Sequence, residues 1–250
     1  MEQEIVKLVQ SGKDALVVGG SNGVGLAVAH VLSQYCHVVV IDKVAPAIPL
    51  PGSDFIQFDL TEPDFSLFDG IRPVDKLIVT AGFGRLALFK DYSEKLLVNM
   101  MSVNATAVMR IIWHFYPRLL SADNFYCSVM GSIAGFMSSP FFAVYGASKA
   151  ALKIFIESLN VELLKSGTDN RILNVSPGSL KGTAFNGQDN DLSQVIPFAE
   201  ELIIRMMKKE DLFIPQYEEV YRQVLKRYVT DFRAEGIRSY EYKQNSGRLK

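Results

Sequence analysis

A tyrosine and a lysine four residues apart, Tyr145 and Lys149, have the spacing in this sequence that most directly indicates proton transfer. On a helix, residues i and i+4 lie on one face, so the phenol and the ammonium group would be neighbours. A nearby cation stabilises the phenolate and lowers the tyrosine pKa from about 10. Tyr145 is therefore a candidate general acid/base. Ser132, 13 residues earlier, follows an apolar run and could face the same ligand, although alone it would be interpreted as a loop serine.

A glycine cluster near the N-terminus has a spacing that could bind a phosphate. The segment from Val18 to Gly25 reads Val-Gly-Gly-Ser-Asn-Gly-Val-Gly and follows a short apolar run. A pyrophosphate at a helix N-terminus needs backbone N–H groups that point at it, and glycines where a Cβ would block its approach. A tight strand-to-helix turn needs glycines too, so the cluster alone leaves both interpretations open. Asp42, 17 residues after Gly25, favours dinucleotide binding, because a carboxylate there can accept both hydroxyls of an adenosine ribose.

Apolar runs alternate with helical patterns along most of the chain, and this alternation predicts the elements that hold these residues. Three segments have apolar residues at helical spacing: 24–34, 93–120 with Ser93 as N-cap, and 144–165. The runs that predict strands are short: Ala15–Val18, Val38–Ile41, Phe55–Phe58, Leu77–Val79, Phe125–Met130 and Ile172–Val175. Strands that alternate with helices pair in parallel through right-handed crossovers. We therefore predict an α/β fold with a doubly wound parallel sheet, Rossmann-type, in three α/β/α layers.

The connections between these elements are uneven. Only 12 residues separate Asp42 from Phe55 and 14 separate Asp59 from Val74, and both gaps contain prolines, so we expect neither to contain a full helix. After Gly178 the alternation stops. The pattern of residues 183–235 predicts a mostly helical excursion from the sheet, which would form a lid over the substrate and would be interrupted at Pro197 and Pro215. No linker divides the chain, and we predict one domain over residues 1–250.

Taken in order, these motifs resemble the short-chain dehydrogenase/reductase family from about Lys13 to Thr183. The glycine-rich loop of the family, Thr-Gly-x-x-x-Gly-x-Gly, corresponds to Val18–Gly25 with valine in place of threonine. The Asn-Asn-Ala-Gly turn of the family corresponds to Val79-Thr80-Ala81-Gly82, so both asparagines are replaced. The other motifs of the family match Asp42, Asp59 with Leu60, Asn104, Ser132, Tyr145 with Lys149, and Pro177 with Gly178; Gly182 stands where a threonine is expected, and Thr183 follows.

The resemblance implies hydride transfer between NAD(H) and a carbonyl or secondary alcohol. Tyr145 would exchange a proton with the substrate oxygen, and Ser132 would hydrogen-bond that oxygen. Lys149 would lower the pKa of Tyr145 and hold the nicotinamide ribose, while Asn104 would support a water that leads protons out past Lys149. The expected dinucleotide-binding residues are Gly19, Ser21, Asn22, Gly23, Val24, Gly25, Asp42, Lys43, Asp59, Leu60, Ala81, Gly82, Tyr145, Lys149, Pro177 and Gly178.

The choice of cofactor depends on Asp42, whose carboxylate would repel the 2′-phosphate of NADP. We therefore predict a preference for NAD(H), with NADP(H) possible because Lys43 can soften the repulsion. Two alternatives remain open: an NADP-dependent ketoacyl-type reductase, and a non-catalytic dinucleotide-binding sensor on the same fold. A sensor has no need for a serine, tyrosine and lysine in catalytic register, so the sequence favours the enzyme.

The composition excludes several other classes of protein. With Lys+Arg 26 and Asp+Glu 27 the net charge is −1, which offers no cationic field for nucleic acid. Two cysteines, Cys36 and Cys127, are too few for a disulfide scaffold and favour a cytoplasmic location. The three histidines lack metal-ligand spacing, so we predict no metal site. Residues 124–148 lack charged residues but contain Pro140 and three glycines, so we predict no membrane span and no membrane partner.

The two long helical segments are apolar on more than one face. In the second of them, Ala147, Ala151, Ile154 and Ser158 form one line, and Ala150 and Phe155 lie on another. A helix that is apolar around much of its girth must be covered on both sides. The sheet covers one side, and in the family that the sequence resembles, a partner subunit covers the other. We therefore expect a homodimer or homotetramer whose other partner is a small-molecule alcohol or ketone.

Overall fold

The computed structural model describes residues 4, 5, 9, 13–183, 185 and 190–246. Within them, seven parallel strands form one sheet in the order β3-β2-β1-β4-β5-β6-β7. The strands are β1 (Asp14–Val18), β2 (Val38–Asp42), β3 (Ser53–Gln57), β4 (Val74–Val79), β5 (Tyr126–Met130), β6 (Arg171–Val175) and β7 (Leu212–Phe213). The strand order reverses between β1 and β4, and ligands of such sheets bind at the carboxyl ends of the strands at this point.

Helices cover both faces of the sheet, which confirms the predicted doubly wound α/β fold. They are α1 (Gly23–Leu32), α2 (Glu94–Leu119), α3 (Ala143–Lys165), α4 (Leu192–Met207), α5 (Arg222–Thr230) and α6 (Phe232–Asn245). Alternate residues of a strand point to opposite faces. Accordingly, Ala15 and Val17 pack with α1 and α4, whereas Leu16 and Val18 pack with α2 and α3. The sheet is therefore buried between two helical layers.

Helix α2 begins where the sequence predicts, because the Ser93 hydroxyl accepts a hydrogen bond from the Leu96 N–H at 3.2 Å. By length and composition, this is the one helix among the described residues that could cross a membrane. Its apolar residues Ile111, Ile112 and Leu119 are buried with the residues of the sheet, as in the core helix of a folded domain. A π-helical turn interrupts it at Ser102–Thr106.

The short crossovers are confirmed, but the prediction for the segment after Gly178 is partly wrong. Residues 43–52 contain no helix, and the β3–β4 connection has only a 3-10 turn at Ser66–Gly70. However, strand β7 lies inside the expected helical excursion and pairs with β6. Pro197 does not break the helix but lies inside α4, where the burial of Val195, Ala199 and Leu202 offsets the missing backbone hydrogen bond. The helical structure also continues beyond residue 235 to Asn245.

Candidate active site

The glycine-rich loop packs so closely against its neighbours that two of its glycines have no room for a side chain. Gly19 has φ +88°, and a Cβ on it would lie 2.4 Å from the Ala81 nitrogen. A Cβ on Gly25 would lie 2.1 Å from the carbonyl oxygen of Gly19. Asn22, the N-cap of α1, makes no side-chain bond to the first turn. The N–H groups of that turn are thus available to an anion, as a pyrophosphate cradle requires.

Asp42 ends β2 beside this loop. Its two carboxylate oxygens accept backbone hydrogen bonds from the Ser21 N–H at 3.0 Å and from the Lys43 N–H at 2.7 Å. The loop and the end of β2 are therefore joined through one carboxylate. The Ser21 side chain is fully buried and donates to the Val44 carbonyl, so its hydroxyl does not face the cavity in which a dinucleotide would lie.

A cavity of about 1640 Å³ extends along the carboxyl ends of the strands. It brings together most of the residues that the sequence predicts for the site: Gly19, Asn22, Gly23, Val24, Gly25, Asp42, Lys43, Asp59, Leu60, Ala81, Gly82, Ser132, Tyr145, Pro177 and Gly178. Ser21, Asn104 and Lys149 lie beneath the cavity surface instead. Hydrogen bonds from the backbone N–H and the hydroxyl of Thr61 lower the pKa of Asp59, which keeps a negative charge at the edge of the cavity.

Tyr145 and Ser132 bring two hydroxyl groups together in the wall of this cavity. Tyr145 lies in the first turn of α3, and Ser132 follows β5, where it also accepts a hydrogen bond from the Ala134 N–H at 3.2 Å. Burial raises the pKa of Tyr145, and the Ser132 hydrogen bond opposes that shift. The direction is opposite to the lowering by Lys149 that the sequence predicts, because desolvation penalises the phenolate.

Lys149 lies one turn after Tyr145 and is almost completely buried. Its Nζ donates to the Met130 carbonyl at 2.7 Å and lies 5.8 Å from the centre of the Tyr145 ring. Burial lowers the pKa of Lys149 to about 8, so its ammonium group readily loses a proton at alkaline pH. A Cβ on Gly82 would lie 3.4 Å from Nζ, which places the ammonium group directly under the β4 turn.

Asn104 lies in the π-helical turn of α2, and its buried amide holds the turn after β4 in place. Its Oδ1 accepts from the Phe83 N–H at 2.9 Å, and its Nδ2 donates to the Phe83 carbonyl at 2.8 Å and to the Ser148 hydroxyl at 3.1 Å. Both hydrogens of Nδ2 are therefore in use. A water near Lys149 would have to bind Oδ1 or the backbone instead.

Thr80 is a residue of the site that the sequence analysis did not single out. Its hydroxyl donates to the Gly19 carbonyl at 3.0 Å and thereby joins the β4 turn to the glycine-rich loop. The family pattern has an asparagine at position 80 and a threonine at position 18, where this chain has valine. This chain therefore has its threonine after β4 and not at the end of β1. That difference from the family pattern is the signal that could have identified Thr80.

The C-terminal helices contribute a wall of the cavity that the sequence did not predict. The side chains concerned are Tyr221, Arg227, Glu235, Arg238, Tyr242 and Lys243. The Tyr221 hydroxyl lies directly over Gly178, since a Cβ on that glycine would overlap it. Arg227 forms a two-pronged ion pair with Glu235 at 2.7 and 2.9 Å. These residues lie beyond the motifs, and no spacing in the sequence singles them out.

Comparison with known proteins agrees with this geometry. Residues 13–193 match the family model of the short chain dehydrogenases. The chain is 30% identical over 189 residues to gluconate 5-dehydrogenase of Gluconobacter oxydans, covering 67% of this chain and 71% of that one. It is 29% identical over 184 residues to 2,3-dihydro-2,3-dihydroxybenzoate dehydrogenase of Bacillus subtilis, covering 67% and 70%. A short-chain dehydrogenase from Sphingobium yanoikuyae, solved with NADPH, superposes with a TM-score of 0.69 at 20% identity over 88% of this chain and 95% of that one.

Proposed function

This chain belongs to the short-chain dehydrogenase family of oxidoreductases, and we propose that it transfers hydride between NAD(H) and a carbonyl or secondary alcohol. The observation that carries the proposal is the Tyr145–Ser132 pair, which faces the same cavity as the glycine-rich loop. The loop fits a dinucleotide, because the N–H groups of the first turn of α1 carry no side-chain cap and can bind a pyrophosphate, while Gly19 and Gly25 let the loop pack closely beneath it. The bound dinucleotide would supply or accept the hydride.

The residues of the chain would handle the proton and position the substrate. During reduction the Tyr145 hydroxyl donates its proton to the substrate oxygen, and during oxidation the phenolate takes it back. The Ser132 hydroxyl binds the same oxygen and holds it against Tyr145. Lys149 places a cation below Gly82, where it would bind the ribose next to the reacting ring and favour the phenolate. The raised pKa of Tyr145 suits the acid role at neutral pH.

A screen for activity tests the proposal directly. Purified protein would be assayed for a change in NADH and NADPH absorbance with sterols, sugars, polyols and acyl thioesters in both directions. We expect turnover with at least one alcohol or ketone. Activity confined to acyl thioesters with NADPH would support the ketoacyl-type reductase instead, and tight dinucleotide binding without any turnover would support the sensor.

The preference for NAD(H) is expected to depend on the charge of Asp42. A 2′-phosphate placed about 4 Å from this carboxylate would cost roughly 4 kcal/mol per unit charge at an effective dielectric constant of about 20, before screening. We expect Asp42→Ala to lower the ratio of kcat/KM with NAD to kcat/KM with NADP, mainly by improving NADP binding. Asp42→Asn keeps an acceptor for the Ser21 N–H and should act in the same direction.

Asp169→Ala is the matched control, because Asp169 is exposed and does not line the cavity. It removes one negative charge and should leave the ratio unchanged. Steady-state kinetics with both cofactors measure the effect. If the unmodified protein has a higher kcat/KM with NADP, the assignment of Asp42 is wrong and Lys43 is the dominant charge.

We propose that a second copy of this chain covers the outer faces of α2 and α3. Large apolar side chains on these faces are exposed: Trp113 by 72%, Ile154 by 60% and Val161 by 59%. Ala147, Ile154 and Ser158 all lie on the exposed side of α3, along the line that the sequence predicts. An apolar surface on two adjacent long helices is typical of an association site.

Light scattering is expected to give at least twice the chain mass of 27.8 kDa at micromolar concentration. Ile154→Lys should shift the protein towards the monomer, because it buries a charge in the proposed interface. Val229→Lys is the control, since Val229 is 83% exposed but lies on α5. A monomer mass for the unmodified protein would reject the assembly.

A further inference from the structure

The cavity wall formed by α5 and α6 contains one carboxylate and two guanidinium groups in contact. Glu235 is only 7% exposed. Its carboxylate accepts from Arg227 Nε at 2.7 Å and Nη2 at 2.9 Å, and from Arg238 Nη1 at 3.0 Å. One arginine with this two-pronged geometry is enough to neutralise the carboxylate. The second arginine therefore leaves an excess positive charge at this wall.

Lys243 adds another cation to the same wall, and its contacts are to neutral groups. Its Nζ donates to the Ser139 hydroxyl at 2.7 Å and to the Pro140 carbonyl at 2.9 Å, and it lies 5.4 Å from the centre of the Phe142 ring. Among the described residues it forms no ion pair with a carboxylate. Burial lowers the pKa of Lys243 to about 8, as expected for an ammonium group without a counter-charge.

Of these cations, Lys243 is close to the reacting end of the site. The Phe142 ring that Lys243 approaches lies 5.4 Å from the Tyr145 ring, so one aromatic side chain separates the ammonium group from the proposed acid/base. The Ser138 hydroxyl borders the same cavity, and its buried oxygen has no hydrogen-bond partner among the described residues. Lys243 therefore lies near Tyr145, while Arg227, Glu235 and Arg238 line the same cavity together with Ser138.

We propose that this wall binds an anionic group of the substrate, a carboxylate or a phosphate, while Tyr145 acts on its carbonyl or alcohol carbon. The inference rests on the proposed hydride transfer and specifies its substrate class. A neutral substrate would displace water from two uncompensated cations and offer them only neutral acceptors, which leaves their charge without compensation. An anion would accept from Lys243 and from the remaining N–H groups of Arg227 and Arg238, and such charge-assisted bonds are strong.

Matched pairs of ligands that differ in charge test the proposal by binding rather than by turnover. Isothermal titration would compare levulinate with its methyl ester, and dihydroxyacetone phosphate with dihydroxyacetone, with and without saturating NAD⁺. We expect at least one anion to bind about tenfold or more tightly than its neutral partner. Which pair shows the larger ratio distinguishes a carboxylate site from a phosphate site. Equal affinity within both pairs would overturn the proposal.

Variants of the wall assign the effect to its cations. Lys243→Met and Arg238→Gln are each expected to reduce affinity for the anion about tenfold and to leave affinity for the neutral partner and for NADH unchanged. Lys243→Arg should retain the selectivity, which separates charge from a general change in packing. Arg233→Gln is the control, because Arg233 is exposed on the same helix and does not line the cavity. If Lys243→Met weakens the binding of the anion and of its neutral partner equally, the charge of Lys243 has no role in binding the anion.

The outcomes for this inference and for the proposed reaction are distinct. Charge-selective binding without turnover of any substrate would refute hydride transfer and leave the anion site standing. Turnover of neutral alcohols or ketones without charge-selective binding would leave hydride transfer standing and refute the anion site.

Discussion

Tyr145→Phe is expected to reduce turnover at least ~10²-fold, which is the usual lower range for loss of a general acid/base. The dissociation constant for NADH should stay unchanged. The substitution removes only the hydroxyl that lies beside Ser132. The ring would keep its packing against Phe142 and Phe185, whose ring centres lie 5.4 and 5.3 Å away. The loss should therefore appear in kcat and not in binding.

The pH profile provides a second readout that a packing defect would not change. Because burial raises the pKa of Tyr145, the phenolate needed for oxidation forms only at alkaline pH. Oxidation by the unmodified protein should therefore accelerate as the pH rises, whereas reduction uses the protonated phenol that already predominates at neutral pH. The alkaline acceleration should be absent in Tyr145→Phe.

Tyr116→Phe is the matched control for this experiment. It removes a tyrosine hydroxyl that contacts Glu162 on the protein surface and does not line the cavity. We expect it to leave both turnover and the pH profile unchanged. Near-normal turnover in Tyr145→Phe would show that another group carries the proton, and Tyr221, whose hydroxyl lies over Gly178, would be the next candidate.

Most of the fold could be predicted from the sequence because its signals are local. The apolar runs of β1 and β2 and the helical periodicity of α3 depend on burial that repeats along the chain. Strand β7 could not be predicted, since two residues carry no periodicity and form a strand only by pairing with Asn174 and Val175 of β6. Pro197 was misinterpreted for a related reason: tertiary packing of α4 outweighs the local cost of proline.

The site shows the same division between local and long-range information. The i, i+4 spacing places Tyr145 and Lys149 in adjacent turns, but the direction of the tyrosine pKa depends on burial, which spacing does not reveal. The position of Ser21 in the glycine-rich loop is local, whereas its hydroxyl is used by the carbonyl of Val44, more than twenty residues away. The wall of α5 and α6 depends on how the C-terminal segment folds back over the cavity, and no motif encodes that arrangement.

Gly25→Ala is expected to weaken NADH binding at least ~10-fold, the second large effect that we expect. A Cβ on residue 25 would lie 2.1 Å from the Gly19 carbonyl oxygen and 2.4 Å from the Thr80 hydroxyl. The carbonyl belongs to the backbone and cannot rotate away, so the start of α1 must shift from the loop. Overpacking of this kind typically costs about 1–3 kcal/mol, and a factor of ten in affinity corresponds to about 1.4 kcal/mol.

Two further glycine variants separate loss of the cradle from loss of the fold. Gly23→Ala introduces strain at φ +52° without a close contact, so its effect on NADH binding should be smaller than that of Gly25→Ala. Gly70→Ala enters open space in the turn before β4 and should change neither binding nor Tm. Fluorescence titration with NADH gives the dissociation constants, and circular dichroism shows whether each variant is folded. If folded Gly25→Ala binds NADH as tightly as the unmodified protein, the dinucleotide does not depend on the contact between the start of α1 and the Gly19 turn, and the cradle must lie elsewhere along the cavity.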